Sequence, residues 1–560
     1  MMDNLSFAQY CIETLVAMGV QHFCICPGSR STPLTVACAR HPKSKTFVFH
    51  DERSAAFAAL GMGKTGVPAV LIITSGTAVA NAYPAVIEAS LSHIPLIILS
   101  GDRPPKLRDS GANQTIDQIK LFGNYTRFFF DLPTPSKEFT QQHLHSILRH
   151  AFEKSTGIDA GPIHLNAMFD EPFDMDISKH QNVSVAEILH LPHEIIPSKT
   201  SLDKLHHLCH HAKNPLIVIG EINSPTEQEA LWKNIQNLDC PLLIDASSGL
   251  RLQPSKNTIL GFEYLLRLDH LDAFFVPDLI LHFGQGVSSK AYEQWLEKQP
   301  CHKILIHNHS NRYDPSSCFD ASIQCHFAYC TFLESLKHSA LNTIVSAWND
   351  RFQKKLASLK YGEITVTASI PNLIPAKSNL FISNSMPIRN INNFVIPNQD
   401  LFSASNRGAS GIDGLLSTAA GWCIATERPT TIVIGDLSTM HDFGVLFTLS
   451  KWIIPLTIVV INNRGGGIFS HLPIQKETDV FEEFFATAHE HELAPIVQKM
   501  GISTYQIANI DALEKCLKEA PSHVRFIEIQ TDRNQNIEQH QQLKQTLNLM
   551  IKHSSPSETL

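Results

Sequence analysis

The sequence predicts an α/β protein made of three doubly wound parallel-sheet domains. Three observations support this. Short apolar, β-branched runs alternate with amphipathic stretches along the chain, which is the pattern of parallel βαβ units. The runs fall into three sets, and 560 residues exceed what a single core holds. Near the C-terminus the runs Thr430 to Asp436 and Pro455 to Asn463 both end on oxygen-bearing side chains, and ligands of open parallel sheets sit at the carboxyl ends of strands.

The first set comprises His22 to Gly28, Lys45 to Glu52, Ala69 to Gly76 and Pro95 to Gly101, with Glu52 expected at the end of its second strand. The middle set is Pro215 to Ile222, Pro241 to Ser247, Asp278 to Gly284 and Lys303 to His309. In the third, an amphipathic stretch from Asp442 to Trp452 joins the two runs named above into one βαβ unit. The expected domains are 1–180, 181–345 and 346–560. A polar stretch from about Ser178 to Thr200, with Pro192 and Pro197, is one expected connection, and Tyr361 to Ser378 is expected in the other. Ser554 to Ser557 is expected to be a frayed tail.

Composition narrows the function. Lys and Arg total 45 against 53 Asp and Glu, a net charge of -8 without a long basic run, which argues against nucleic acid as a partner. The most apolar segments, such as Val67 to Thr74 and Ile453 to Ile461, are about half the length that spans a bilayer. Met1-Met2-Asp3-Asn4 lacks a secretory pattern, so a cytoplasmic enzyme is expected. The 12 cysteines are scattered and expected to be structural. Two histidine-rich strings, His206 to His211 and His489 to Glu492, are expected on solvated helix faces. Gly61-Met62-Gly63-Lys64-Thr65-Gly66 matches a dinucleotide string but follows a helix and precedes a strand, the reverse of the required order. Its glycines are expected to end a helix.

Asp436, Asn463 and the Gly465 carbonyl offer oxygens to a hard cation, beside the loop Gly465-Gly466-Gly467. Together they can hold a Mg²⁺-bound diphosphate, with Mn²⁺ as an alternative ion. An Asp and an Asn can also merely turn a chain after strands, so a second motif has to decide. The Gly-Asp pair, the interval of 27 residues from Asp436 to Asn463 and the glycines beyond it resemble the thiamine-diphosphate motif, with Leu437 where a second glycine is usual. Arg464, directly after Asn463, is a further departure. Thiamine diphosphate needs a carboxylic acid against N1′ of its aminopyrimidine, so that the 4′-imino tautomer can take the C2 proton. Glu52 is the candidate, although an acid at a helix N-terminus is the structural alternative.

Long strings then resemble one family of this superfamily, the 2-succinyl-5-enolpyruvyl-6-hydroxy-3-cyclohexene-1-carboxylate (SEPHCHC) synthases of menaquinone biosynthesis. They are Pro27-Gly28-Ser29-Arg30-Ser31-Thr32-Pro33-Leu34, Asp51-Glu52-Arg53, Thr74 to Asn81, Asp102-Arg103-Pro104-Pro105, Gly111-Ala112-Asn113-Gln114 and Asn406 to Gly414. In the middle third the best match is Lys290 after Gly284 to Ser289.

The resemblance implies a pyrimidine-binding, a central and a diphosphate-binding domain. It also implies a homodimer or homotetramer whose site is shared between subunits. The implied transferase decarboxylates 2-oxoglutarate and adds the succinyl semialdehyde unit to isochorismate. Family match makes Glu52 and Gln114 catalytic, and assigns Ser29, Arg30, Arg103, Asn113, Gln114, Lys290, Arg389 and Arg407 to the dicarboxylate substrates. Ser385, Ile412, Ile468 and Phe469 join Glu52, Asp436, Asn463 and Gly465 around the cofactor, the last three as metal ligands. Bidentate arginine suits carboxylates, and Arg30, Arg103, Arg389 and Arg407 are expected in loops or strand exits. Two alternatives stay open: an acetohydroxyacid synthase or other 2-oxoacid decarboxylase acting on pyruvate, and a catalytically silent homologue.

Overall fold

The structure, a computed structural model, describes residues 3–136, 138–171, 173, 185, 193–397 and 400–552. Among them are three sheets in which every strand pair is parallel. The first holds β1 (His22–Ile25), β2 (Lys45–Val48), β3 (Ala69–Ile73), β4 (Leu96–Asp102), β5 (Phe128–Leu132) and β6 (Pro162–Met168), in the order β2-β1-β3-β4-β6-β5. The second holds β7 (Pro215–Ile219), β8 (Leu242–Ile244), β9 (Leu279–Phe283), β10 (His302–His307) and β11 (Ala321–Gln324), in the order β11-β10-β9-β7-β8. The third holds β12 (Asn379–Ile382), β13 (Phe402–Ala404), β14 (Thr430–Gly435), β15 (Leu456–Asn462), β16 (Ser503–Ile507) and β17 (Arg525–Gln530), in the order β13-β12-β14-β15-β17-β16. The first and third sheets therefore share one winding. In both, the order reverses between the first and third strands, and that switch point is where such sheets bind ligands.

β3, β4, β6, β7, β9 and β15 are buried at every residue. Helices cover both faces of such sheets, so the strands read as continuous apolar runs rather than alternating ones. Most expected strands begin within one residue of their runs and stop earlier, because the last residues of those runs form the ligand-side loops; β4 instead runs one residue past Gly101, to Asp102. Glu52 is corrected by this: β2 ends at Val48, Asp51 caps with its side chain on the Arg53 and Ser54 amides, and Glu52 is the first residue of the helix Glu52–Gly63. The expected helix Asp442 to Trp452 is broken into a 3-10 turn, Phe443–Val445, and a short helix, Leu446–Leu449. Tyr361 to Ser378 is not a connection. Its centre is the helix Glu363–Leu373, whose Ile364, Val366, Thr367 and Ile370 are buried, with Pro371 tolerated in the last turn. The Ser178 to Thr200 connection lies largely, and the Ser554 to Ser557 tail wholly, outside the described residues.

The chain divides into two compact units. One comprises 1–193, 406–427 and 441–452; the other comprises 194–405, 428–440 and 453–560. In the first unit the helix Glu52–Gly63 crosses Leu415–Thr426 at backbone contact. A Cβ on Gly61 would lie 2.0 Å from the Thr418 carbonyl oxygen, and one on Gly421 would lie 2.0 Å from that of Ala58. Gly61 thus serves close packing, while Gly63 ends its helix as expected. In the second unit the fully buried Arg251 donates to the carbonyls of Asn392 and Val395. None of the 12 cysteines forms a disulfide. His207, His210 and His211 are exposed on the helix Lys199–His211, as expected. Among the described residues, no helix is long and apolar enough to cross a membrane.

The first sheet carries a buried polar network along β4 and β6. Ser100 Oγ donates to Asn166 Oδ1 at 2.8 Å, so its contact with His164 Nε2, also 2.8 Å, requires that nitrogen to be the donor. His164 is fully buried, and burial pushes its imidazole down to about 3 against the opposing pull of Asp131. The folded chain keeps this ring neutral while the unfolded chain protonates it near 6.5. The stability it confers is thus complete above 6.5 and declines as pH falls toward 3. This single group should cost about 2 kcal/mol between pH 6.5 and roughly pH 5. Unfolding of wild type and His164→Gln across that range should show a shallower decline in the variant; equal slopes would contradict the assignment.

Candidate functional site

At the switch point of the first sheet, the loop after β1 forms a 3-10 turn, Ser29–Ser31, that exposes Ser29 and buries Arg30. Arg30 Nη1 donates to the Phe169 carbonyl at 2.8 Å, and its guanidinium lies 4.8 Å from the Phe173 ring centroid. Its Nε is buried without a partner. Burial and the neighbouring charge of Arg103 both lower its proton affinity, opposed by Glu171, Asp170 and Asp102. Arg103 follows β4 and donates from Nη1 to Ser75 Oγ and, at 2.7 Å, to the Gln114 carbonyl. Two guanidinium groups at one sheet edge make a place for an anion.

Gln114 has φ +55 and donates from Nε2 to the Ser75 carbonyl at 3.0 Å, while Asn113 beside it is exposed. Gly76, at φ +88, is required here because a Cβ would lie 2.9 Å from Gln114 Cγ. Beneath them the buried Gln118 joins the Gly76 amide (2.9 Å), Asn166 Oδ1 (2.8 Å) and the Gly101 carbonyl (3.3 Å). Sequence reasoning did not single out Gln118, which stands four residues after Gln114 in an irregular segment. Glu52 is half-buried and accepts from Asn81 Nδ2 at 3.3 Å.

The first unit also holds Arg407 and Ile412, both in the loop before Leu415–Thr426, with Ile412 37% exposed. The loop is fastened by Glu88, which the sequence did not flag. Its buried carboxylate accepts from the Gly408 amide (3.0 Å), the Ala409 amide (2.6 Å) and Ser92 Oγ (2.9 Å). A Cβ on Gly408 would lie 2.6 Å from Ser92 Oγ, so only glycine fits.

The other unit holds the remaining residues. Lys290 is exposed at the start of the helix Lys290–Leu296, past β9. Ser385, at φ +70, precedes the helix Met386–Phe394, and Arg389 sits in the middle of that helix rather than in a loop or strand exit. It donates from Nη1 to the Ser385 carbonyl at 2.6 Å. Asp436 is the first residue past β14 and Asn463 the first past β15, and parallel pairing of these strands puts both on one edge. Asp436 Oδ2 accepts from the Gly465 amide (2.9 Å) and His489 Nε2 (3.1 Å), and Oδ1 accepts from the Leu437 amide (2.7 Å). Oδ1 keeps a free lone pair.

Asn463 is held the other way round. Its Nδ2 donates to Glu363 Oε2 at 3.1 Å, and its Oδ1 is buried without a partner. Glu363 is 2% exposed, and burial pushes its carboxyl up to about 7, with Asn463 opposing. Gly465 has φ +143, and a Cβ there would lie 2.5 Å from the Ala486 carbonyl oxygen. Arg464, at φ +60, turns outward and donates its amide to Asn462 Oδ1 at 3.1 Å, so the loop accommodates the unusual arginine. Ile468 and Phe469 are half-buried beyond it, with Phe469 edge-on to Phe485 at 6.1 Å. A cavity of about 350 Å³, lined among others by Tyr361, Gly362, Asn463, Arg464 and Asp532, opens at this carboxyl edge.

His489 is a correction to the sequence reading. It lies in an irregular segment, not a helix, and its side chain is 8% exposed against Asp436. The His491 amide donates to its Nδ1, which leaves the proton on Nε2 for Asp436. Glu528 on β17 pins the segment by accepting from Asn462 Nδ2 and the Leu493 and Ala494 amides. An orphaned amide oxygen, a carboxylate with a free lone pair and a glycine-lined turn fit a hard divalent cation bound together with a diphosphate.

The Glu88 cradle is directly testable. Glu88→Ala strands two amides and should destabilise the first unit by about 1–3 kcal/mol. Tryptic cleavage after Arg407 should accelerate with it. An unchanged melting midpoint and unchanged cleavage would show that something else holds the loop.

Comparison with known proteins agrees with this geometry. Residues 5–121 match the N-terminal TPP binding domain of thiamine pyrophosphate enzymes, 192–382 their middle domain and 392–530 their C-terminal TPP binding domain. A protein of Pelodictyon phaeoclathratiforme named SEPHCHC synthase is 39% identical, with 98% of this chain and 97% of that one aligned. Proteins of the same name from Chlorobium limicola (95% of each chain) and Chlorobaculum tepidum (96% of each) are 38% and 36% identical. The chain belongs to the SEPHCHC synthase family of thiamine pyrophosphate enzymes.

Proposed function

We propose that the chain is a thiamine-diphosphate- and Mg²⁺-dependent transferase of menaquinone biosynthesis. In this reading it decarboxylates 2-oxoglutarate and joins the succinyl semialdehyde unit to isochorismate, releasing CO₂ and SEPHCHC. The observation that carries the reading is near-full-length similarity to proteins of that name. Asp436, Asn463 and the Gly465 carbonyl hold the metal, Mg²⁺ or Mn²⁺, and Ser385, Ile412, Ile468 and Phe469 shape the cofactor's surroundings. The bound cofactor supplies the carbon nucleophile. Glu52 holds the proton shared with N1′ of the aminopyrimidine, a role open to a half-buried acid at the start of a rigid helix.

Arg30, Arg103, Arg389 and Arg407 pair with substrate carboxylates, assisted by Ser29, Asn113 and Lys290. Gln114 is held at φ +55 with its carbonyl on Arg103, and it orients the reacting substrate. Three domains, 1–180 for the pyrimidine, 181–345 central and 346–560 for the diphosphate, belong to the same proposal. So do a cytoplasmic location and a homodimer or homotetramer with shared sites.

The acetohydroxyacid alternative predicts a preference for pyruvate, and the silent-homologue alternative predicts no turnover. Purified protein with thiamine diphosphate, Mg²⁺ and isochorismate should release CO₂ from 2-oxoglutarate and form the coupled product. Loss of one buried carboxylate contact costs about 2 kcal/mol or more, so kcat/KM for pyruvate should be lower by a factor of roughly 30 or more. Equal or better use of pyruvate, or no turnover of either donor, contradicts the proposal.

A further inference from the structure

An asparagine can bind a cation through only one end of its amide. The two orientations differ by a half-turn about χ2 and are almost identical in shape, so something outside the residue must choose. Glu363 makes that choice at Asn463. It stands on the first turn of Glu363–Leu373, 100 residues away in sequence, and presents Oε2 to Asn463 Nδ2 at 3.1 Å. Its other oxygen accepts from Asn390 Nδ2 at 3.3 Å, which fixes the carboxyl from the far side. Reversing the Asn463 amide would set its oxygen against Glu363 Oε2 and turn two N–H groups toward the cation's place. Gly467 leaves no competing side chain, since a Cβ there would lie 2.7 Å from Asn463 Nδ2.

Resting on the proposed function, we propose that Glu363 is a positioning residue. It locks the Asn463 amide with the oxygen facing the metal, and so sets metal affinity without touching the metal, the cofactor or the substrate. Partners of this kind typically account for about 10–100-fold in metal affinity.

The structure also says which substitution should preserve the lock. Glutamine can accept from Asn463 Nδ2 with its oxygen and donate to Asn390, whose Oδ1 is buried without a partner and becomes the acceptor when that amide turns over. Methionine fills the same space but offers no acceptor. Thiamine diphosphate binding is followed by calorimetry as Mg²⁺ is raised, beside the melting midpoint of the metal-free chain.

Glu363→Met should raise the Mg²⁺ requirement about 10–100-fold, and Glu363→Gln should stay within about threefold of wild type. A merely structural role would lower the metal-free midpoint of Glu363→Met and leave its Mg²⁺ requirement alone, and that result overturns the inference. Loss in Glu363→Gln equal to that in Glu363→Met overturns it too. If Glu363→Met does not fold, Glu363→Asp, one methylene short of Asn463, is read in the same titration with the same expectation. A wild-type chain that binds thiamine diphosphate without any dependence on Mg²⁺ overturns the proposed function itself, and this inference with it.

Discussion

A buried carbonyl oxygen without a donor costs about 1–3 kcal/mol, and folded proteins rarely leave one. Asn463 Oδ1 is such an oxygen, and the carboxyl edge of the third sheet is arranged around it. Its neighbours are partly engaged, Asn463 Nδ2 by Glu363 and Asp436 by the Gly465 amide, the Leu437 amide and His489, which leaves Asp436 Oδ1 a free lone pair. Among the described residues, these buried carboxylates and the amide oxygen have no Lys or Arg bound to them, and His489 Nε2 is held on Asp436. A divalent ion would relieve both the orphan oxygen and the crowded negative charge, which is why the local cost is tolerable in a protein that works loaded.

The first sheet solves a related problem with the same winding. Its strands follow the order of the third, so its switch point also gathers the loops after the first, third and fourth strands. There the loops carry Arg30, Ser75 and Arg103, a cationic set suited to carboxylates, where the third sheet carries acid and amide. One architecture thus presents opposite charge at equivalent edges, and function follows from the side chains rather than from the fold. The middle sheet has a flavodoxin-like order and contributes only Lys290 to the candidate set.

Much of the fold was legible because the central strands are buried on both faces. Runs such as Ala69–Ile73 and Leu456–Asn462 are mostly apolar there, and their onsets were read to within one residue. Their ends were less legible. The turn before Glu52 depends on Asp51 capping a helix, and a cap competes locally with strand extension in a way that composition does not reveal. The Tyr361 to Ser378 segment read as a connection because its helix carries Pro371 within it and has an apolar face that shows only against its neighbours.

Candidate site residues could be named from sequence where they stand in contiguous strings. The site was illegible where a residue matters through a distant partner. Glu88 meets its loop across 320 positions, Glu363 meets Asn463 across 100, and His489 meets Asp436 across 53. No periodicity encodes such pairs. The most direct measurement of the central claim is anomalous diffraction from crystals loaded with Mn²⁺ and thiamine diphosphate. The expected result is a single peak in this unit within bonding distance of Asn463 Oδ1, Asp436 and the Gly465 carbonyl. Bound cofactor with the peak elsewhere, or with Asn463 Oδ1 still turned away from the metal, would contradict the account.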